Sequence, residues 1–340
     1  MGSPTDSSAI SPIFAFNGDA DGIISQHLLL LAGITPERRL TGLKRDLRLL
    51  RHIVETDGAS GERGLRLYVC DINLADNRDD LIRLMRNPTT LVTWYDHHEP
   101  GPVPDLPGLR TRIATGRGAC TGLLVHADLL AQGLGQDPRW AAIAAHGDNL
   151  PEAADSLLAP LALTESDRAA LREAGTLINY NAHGESPADV LFQPLAVATR
   201  MADFRDPMAF IRESGFIEPL RAQLRDDEER MGALTPTTGG VGAALYVLPG
   251  EGWARRLGST WASRAALQNP EKAFAVLHPL EDGSYQVSIR APRGRADAPA
   301  ASTLAAGFPS GGGRALAAGI NRLPADQVEV FAQRFMEVYG

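Results

Sequence analysis

Within the first hundred residues, short apolar runs alternate with amphipathic stretches. Ile13-Phe14-Ala15-Phe16 predicts a buried strand, and residues 23–31 a helix after it. Residues 65–70 predict a second strand, followed by a helix marked by Leu81, Ile82, Leu84 and Met85. Residues 90–95, rich in β-branched and aromatic side chains, predict a third. This alternation implies βαβ units, and so an α/β fold with a parallel sheet flanked by helices on both faces. Asn87-Pro88 and the Pro/Gly cluster over 100–108 mark loops, and residues 121–181 are mostly helical in pattern.

Beyond residue 196 the pattern changes. The run Arg225-Asp226-Asp227-Glu228-Glu229-Arg230 is expected to be a solvated helix face, and Thr235-Pro236-Thr237-Thr238-Gly239-Gly240 a linker or turn. Residues 241–248, 273–277 and 285–290 then alternate as strands do. The expected layout is a polar tail at 1–11, a first α/β domain at 12–195, a helical linker at 196–237 and a smaller α/β domain at 238–340. No internal repeat is visible.

Composition narrows the function. With 340 residues and 44% hydrophobic content, the chain has room for two cores and is neither disordered nor fibrous. Cys70 and Cys120 lie in apolar surroundings and are expected to be reduced core thiols, which favours the cytoplasm. No apolar run approaches a membrane span, since residues 28–33 are too short, so no membrane partner is expected. The N-terminus has neither a basic start nor an apolar stretch after it, and is expected to be a loose tail rather than a signal peptide. A net charge of −8 disfavours long nucleic acid as a partner. It leaves room for an acidic centre that holds cations. Residues 238–340 carry 10 basic against 8 acidic residues, so the first 237 carry 23 against 33 and hold the excess of acid.

Each of the three predicted strands runs into acid. The first is followed by Asn17-Gly18-Asp19-Ala20-Asp21-Gly22, the second by Asp71 and the third by Asp96-His97-His98. Ligands of open α/β sheets bind beyond the carboxyl ends of the strands, so these residues are expected to converge. Asp-x-Asp-Gly alone is a common turn, and a lone Asp after a strand is often a helix cap. Asp-His-His arises by chance in only about one chain in a hundred of this length. The ordered set therefore points to a metal centre of carboxylates and imidazole, suited to Mn²⁺.

These motifs resemble those of the DHH phosphoesterases, a family of single-strand exonucleases of RecJ type, nanoRNases, cyclic-dinucleotide phosphodiesterases and family II pyrophosphatases. Asp19-Ala20-Asp21-Gly22, Asp71, Asp96-His97-His98 and Gly147-Asp148-Asn149 resemble its first four motifs in order. Gly311-Gly312-Gly313-Arg314 and Ser288-Ile289-Arg290 resemble its C-terminal associated domain. The resemblance implies two Mn²⁺ ions, with Mg²⁺ or Co²⁺ as alternatives, held by Asp19, Asp21, Asp71, Asp96, His97 and Asp148. It implies a phosphate-facing catalytic role for His98 beside Asp96. Arg290, Gly311, Gly312, Gly313 and Arg314 would bind substrate across an interdomain cleft. Asn17 and His146 are candidates to support the ligands from behind.

Three positions depart from the family pattern: Ala15 and Asn17, where many members carry His or Asp, and Arg314, where His is usual. Arg314 favours a charged terminal phosphate or a phosphodiester. The implied activity is hydrolysis of phosphodiester bonds in a small nucleotide or short oligonucleotide. The alternatives are a phosphomonoesterase on bisphosphate nucleotides, pyrophosphate or polyphosphate, a catalytically weak nucleotide-binding regulator, and a RecJ-like exonuclease. A homodimer is an open alternative to a monomer.

Overall fold

The computed structural model describes residues 11–58, 64–116 and 118–340. The expected tail falls almost wholly outside them. The chain forms two compact units, one up to Arg221 and one from Ala222 to Gly340.

The first unit begins with β1 (Ile13–Phe16) and α1 (Ala20–Leu31), followed by β2 (Arg38–Leu40) and the short α2 (Leu50–Ile53). Next come β3 (Arg66–Cys70), α3 (Leu74–Leu84), β4 (Leu91–Asp96) and β5 (Leu109–Ile113). The five strands form one parallel sheet in the order β2-β1-β3-β4-β5. The edge strands β2 and β5 are absent from the hydrophobic pattern. Arg-Arg-Leu and Leu-Arg-Thr-Arg-Ile place charged side chains at half-exposed sheet edges, so their apolar signal is weak.

Alternation along the central strands sends side chains to two cores. Ile13, Ala15, Leu67, Val69, Val92 and Trp94 share a buried cluster with Leu50, Ile53, Leu74 and Leu81 of α2 and α3. Phe14, Phe16, Tyr68 and Tyr95, on the alternate positions, are buried as well. Trp94 and Tyr95 are thus core residues, and both cysteines are buried free thiols.

The helical region comprises α4 (Thr121–Ala131), α5 (Pro138–Gly147), α6 (Pro151–Leu158) and α7 (Glu165–Asn181). It continues with α8 (Pro194–Met201), α9 (Pro207–Glu213) and α10 (Ile217–Gly232). Within the charged run of α10 one residue departs from the expected solvated face. Asp227 is fully buried and accepts two 2.9 Å hydrogen bonds from the Arg256 guanidinium.

The second unit contains β6 (Thr238–Gly239), β7 (Ala243–Val247), α11 (Gly252–Gln268), β8 (Ala273–Pro279) and β9 (Tyr285–Arg290). It closes with α12 (Ala301–Ala305), β10 (Gly311–Gly313), β11 (Ala317–Leu323) and α13 (Val328–Tyr339). These strands form a mixed sheet, β10-β11-β9-β8-β7-β6. Thr238-Gly239, expected as turn, pairs antiparallel with β7. Phe331, Phe335 and Tyr339 of α13 pack with Leu277, Val287 and Ile320 in the core of this unit. Each such aromatic contributes roughly 1.5–3 kcal/mol by leaving water. Among the described residues no helix is long and apolar enough to cross a membrane.

Candidate metal centre

The register of the sheet brings the acidic motifs together. Phe16, Cys70 and Tyr95 lie side by side at the carboxyl ends of β1, β3 and β4. The next residues are tied across the strands, with Asn17 N–H donating to the Cys70 carbonyl (3.2 Å) and Asp71 N–H to that of Tyr95 (2.9 Å). Gly22 lets α1 start close against this exit, because a Cβ there would lie 2.2 Å from the Asn17 carbonyl oxygen.

His97 is the meeting point. Its Nε2 lies 3.2 Å from Asp148 Oδ2, 3.3 Å from Asp71 Oδ1 and 3.9 Å from Asp21 Oδ2. Two sets of three side chains bring ligand atoms within 4.8 Å of one another: Asp71, His97 and His98, and Asp21, His97 and Asp148. Asp19 and Asp96 belong to neither set.

Each carboxylate is positioned by a different local device. Asp19 caps α1 by accepting from Gly22 N–H at 3.1 Å, and its Oδ2 takes a 2.6 Å bond from Lys44 Nζ. Asp21 is buried and accepts 2.7 Å bonds from the backbone N–H groups of Thr121 and Gly122, at the start of α4. Asp71 has φ 60°, in the left-handed region that non-glycine residues adopt at a cost of about 1–3 kcal/mol. Thr121 Oγ1 donates to Asp71 Oδ1 at 3.2 Å. Asp148 is the C-cap of α5, so helix packing brings it to the cluster.

Crowding of like charge shows in the titration behaviour. Burial and the charges of Asp148 and Asp19 push Asp21 up to about 8. Burial and the neighbouring carboxylates push Asp71 well up, and burial followed by the Asp19 charge raises Asp148. Asp19 goes the other way: burial alone would raise it, but the Lys44 ammonium holds it at about 2. Burial lowers His97, whereas the hydrogen bond with Asp96 is the main cause that raises His98.

Asp96 is fully buried and is tied to the triplet it begins. Its Oδ1 accepts from His97 N–H (2.8 Å) and lies 2.7 Å from His98 Nδ1. Its Oδ2 is buried with no hydrogen-bond partner. A buried carboxylate oxygen with no protein donor is left for a water or a cation to satisfy.

Of the two supporting candidates, Asn17 belongs to the site's frame. Its Oδ1 accepts from Asp19 N–H (3.3 Å), and its Nδ2 donates to the Lys44 carbonyl (3.5 Å). His146 is buried with an unpartnered Nε2, and the charges acting on its ring are those of Arg172 and Asp155 rather than of the cluster carboxylates.

In the second unit, Arg290 closes β9, with Nε donating to Ser263 Oγ at 3.0 Å. Its backbone pairs with Ala317, beside the hairpin turn that carries the exposed Arg314. Gly311, Gly312 and Gly313 form β10. A Cβ at 311 would strike the Ala305 carbonyl at 1.8 Å, and Gly313 has φ 141°. Only at Gly312 does a Cβ meet open space, so two of the three glycines are explained by packing.

Three residues escaped the motif reading: Lys44, Thr121 and Gly122. Lys44 had a signal, since it is one of only two lysines among 33 basic residues. Thr121-Gly122 carries none, because the pair holds Asp21 through backbone N–H groups, to which the Thr121 hydroxyl adds its bond to Asp71.

No family model matches the chain, and no curated protein matches it. Solved structures do. The chain is similar to exonuclease RecJ bound to manganese, at TM-score 0.60 and 16% identity over 95% of this chain and 88% of that one. It is similar to the DHH domain of a member of a family of ribosomal proteins, at TM-score 0.64 and 13% identity over 97% and 87%. A pGpG-specific phosphodiesterase from Vibrio cholerae aligns at TM-score 0.51 and 10% identity over 96% and 99%. At such identities the likeness is one of fold. The chain has the fold of DHH-domain proteins.

Proposed function

We propose that the chain is a divalent-metal-dependent phosphoesterase that hydrolyses phosphodiester bonds in short nucleotides. The observation that carries this reading is the convergence of Asp21, Asp71 and Asp148 on His97 Nε2 at the strand ends of this fold. RecJ and the pGpG-specific phosphodiesterase, which share the fold, support phosphodiester chemistry as the class of reaction.

The residues fit a divalent ion. Three carboxylates and an imidazole are a donor set for Mn²⁺, and their crowding in a buried place calls for a compensating cation. Asp21, Asp71, His97 and Asp148 would hold the metal, which supplies, when bound, a water of lowered pKa and positive charge against the phosphoryl oxygens.

The chain's own groups do the rest. The α4 N–H groups fix Asp21, and the Thr121 hydroxyl holds the carboxylate of Asp71 on its left-handed backbone. Asp96 binds His98 Nδ1, which leaves Nε2 as the nitrogen to meet a substrate oxygen. His98, with its side chain 39% exposed, would hold a proton there and donate it to the phosphate or the leaving oxygen. In the second unit Arg290 and Arg314 are the proposed phosphate holders, Arg290 because its side-chain partners in the fold are neutral.

The test is a Mn²⁺ activity screen over linear and cyclic dinucleotides, bisphosphate nucleotides, polyphosphate and short single strands, with Asp96→Asn as control. Turnover of dinucleotides that is lost in the control supports the reading. Turnover of polyphosphate or bisphosphate nucleotides alone moves it to a monoesterase, and no turnover on any substrate refutes it.

A further inference from the structure

We propose that Lys44 is a built-in cation at this centre, standing where one of two metal ions is expected, so that the protein binds a single divalent ion through His97. The inference rests on the metal-dependent reading above and specifies how many ions that site takes.

Lys44 is fixed from several sides. Its Nζ donates to Asp19 Oδ2 at 2.6 Å and to Asn179 Oδ1, at the end of α7, at 2.9 Å. Its backbone N–H donates to the Ala182 carbonyl at 3.1 Å, and its own carbonyl accepts from Asn17 Nδ2 at 3.5 Å. A surface lysine with a chance contact has no such frame. In a chain that otherwise uses arginine, with Lys44 one of two lysines, the ammonium is the side chain nearest to a compact point charge.

The ligands divide accordingly. Both oxygens of Asp19 are committed, one to the helix cap and one to Lys44. Asp19 is in neither set of converging donors, and both sets share His97. Asp21, Asp71 and Asp148 all approach the same ring nitrogen, Nε2, which has one lone pair and so serves one ion. A second ion on Asp19 Oδ2 would stand within a few ångströms of an ammonium that carries three N–H donors and no lone pair, and the two charges would repel.

Mn²⁺ stoichiometry by equilibrium dialysis, with electron paramagnetic resonance of the bound ion, tests this on the full chain. The wild type is expected to bind one Mn²⁺ and give the spectrum of an isolated ion. Lys44→Met is expected to bind two, with the spectrum of an exchange-coupled pair. Asp19→Asn, which keeps the shape of the cap, is expected to bind one, as the wild type does. Two coupled ions in the wild type would overturn the proposal and leave the metal reading intact. So would a single ion in a folded Lys44→Met, with folding checked by circular dichroism; if that variant does not fold, a loss of bound Mn²⁺ in Asp19→Asn overturns the proposal instead. No Mn²⁺ on the wild type would remove the metal reading and this inference together.

Discussion

Thr121 and Asp21, 100 positions apart in the chain, are joined by a 2.7 Å hydrogen bond from the Thr121 backbone N–H to Asp21 Oδ2. Gly122 N–H makes the matching bond to Oδ1. The start of α4, with its unpaired N–H groups and positive dipole end, therefore holds a carboxylate in place against three neighbouring ones.

Gly122→Ala tests that relationship. The new Cβ would lie 2.6 Å from Ala144 Cβ and 3.2 Å from Asp21 Oδ1, so α4 must move off both α5 and Asp21. Urea denaturation should show a loss of roughly 1–3 kcal/mol. Calorimetry should show Mn²⁺ binding weakened by about tenfold or more, as for other groups that orient ligands. Wild-type values for both would mean that α4 does not position Asp21.

Asp71→Asn should separate stability from function. The buried Asp71 sits in the left-handed backbone region among like charges. Asn tolerates that backbone and removes the charge. The metal-free variant is expected to gain roughly 0.5–2 kcal/mol while losing turnover and Mn²⁺ binding. A metal-free variant less stable than the wild type would contradict the account of a strained, charge-crowded site.

His27, buried edge-on to Trp140 with ring centroids 4.4 Å apart, gives a pH dependence. Burial pushes its imidazole down from 6.5 to about 3. Between those values the unfolded chain binds a proton that the folded one does not, so stability falls as pH falls through this window. Relative to His27→Phe, the wild type should lose about 1.4 kcal/mol per pH unit there. Parallel stability curves for the two proteins would show that His27 titrates normally in the fold.

Asp227→Ala should destabilise the second unit. It leaves the Arg256 guanidinium buried without its two-pronged partner. A loss of roughly 3–5 kcal/mol is expected, read as a lower thermal midpoint for that unit. Asp226→Ala, on the exposed side of the same run, serves as the control, with an expected change within about 0.5 kcal/mol.

The central strands and the acidic motifs were legible in the sequence because both rest on strong local patterns. Apolar runs mark β1, β3 and β4, and the parallel sheet rule sends their ends to one edge. The edge strands β2 and β5 were not legible, since Arg38, Arg39, Arg110 and Arg112 mask the alternation. Lys44 stands out in the sequence only by the rarity of lysine, which names no partner, and it takes the fold to bring it to Asp19. Asp227 shows the limit of charge runs as a guide: helical rotation turns one acid of the run inward onto an arginine 29 residues away.

The most direct test of the central claim is dinucleotide hydrolysis measured while Mn²⁺ is titrated into chelator-treated protein, wild type beside His97→Ala. The wild type should rise from no turnover to a plateau, and the variant should lose activity by more than about 100-fold, beyond what loss of a merely orienting partner costs. Hydrolysis that persists in chelator, or that survives the loss of His97, would contradict a metal centre built on that imidazole.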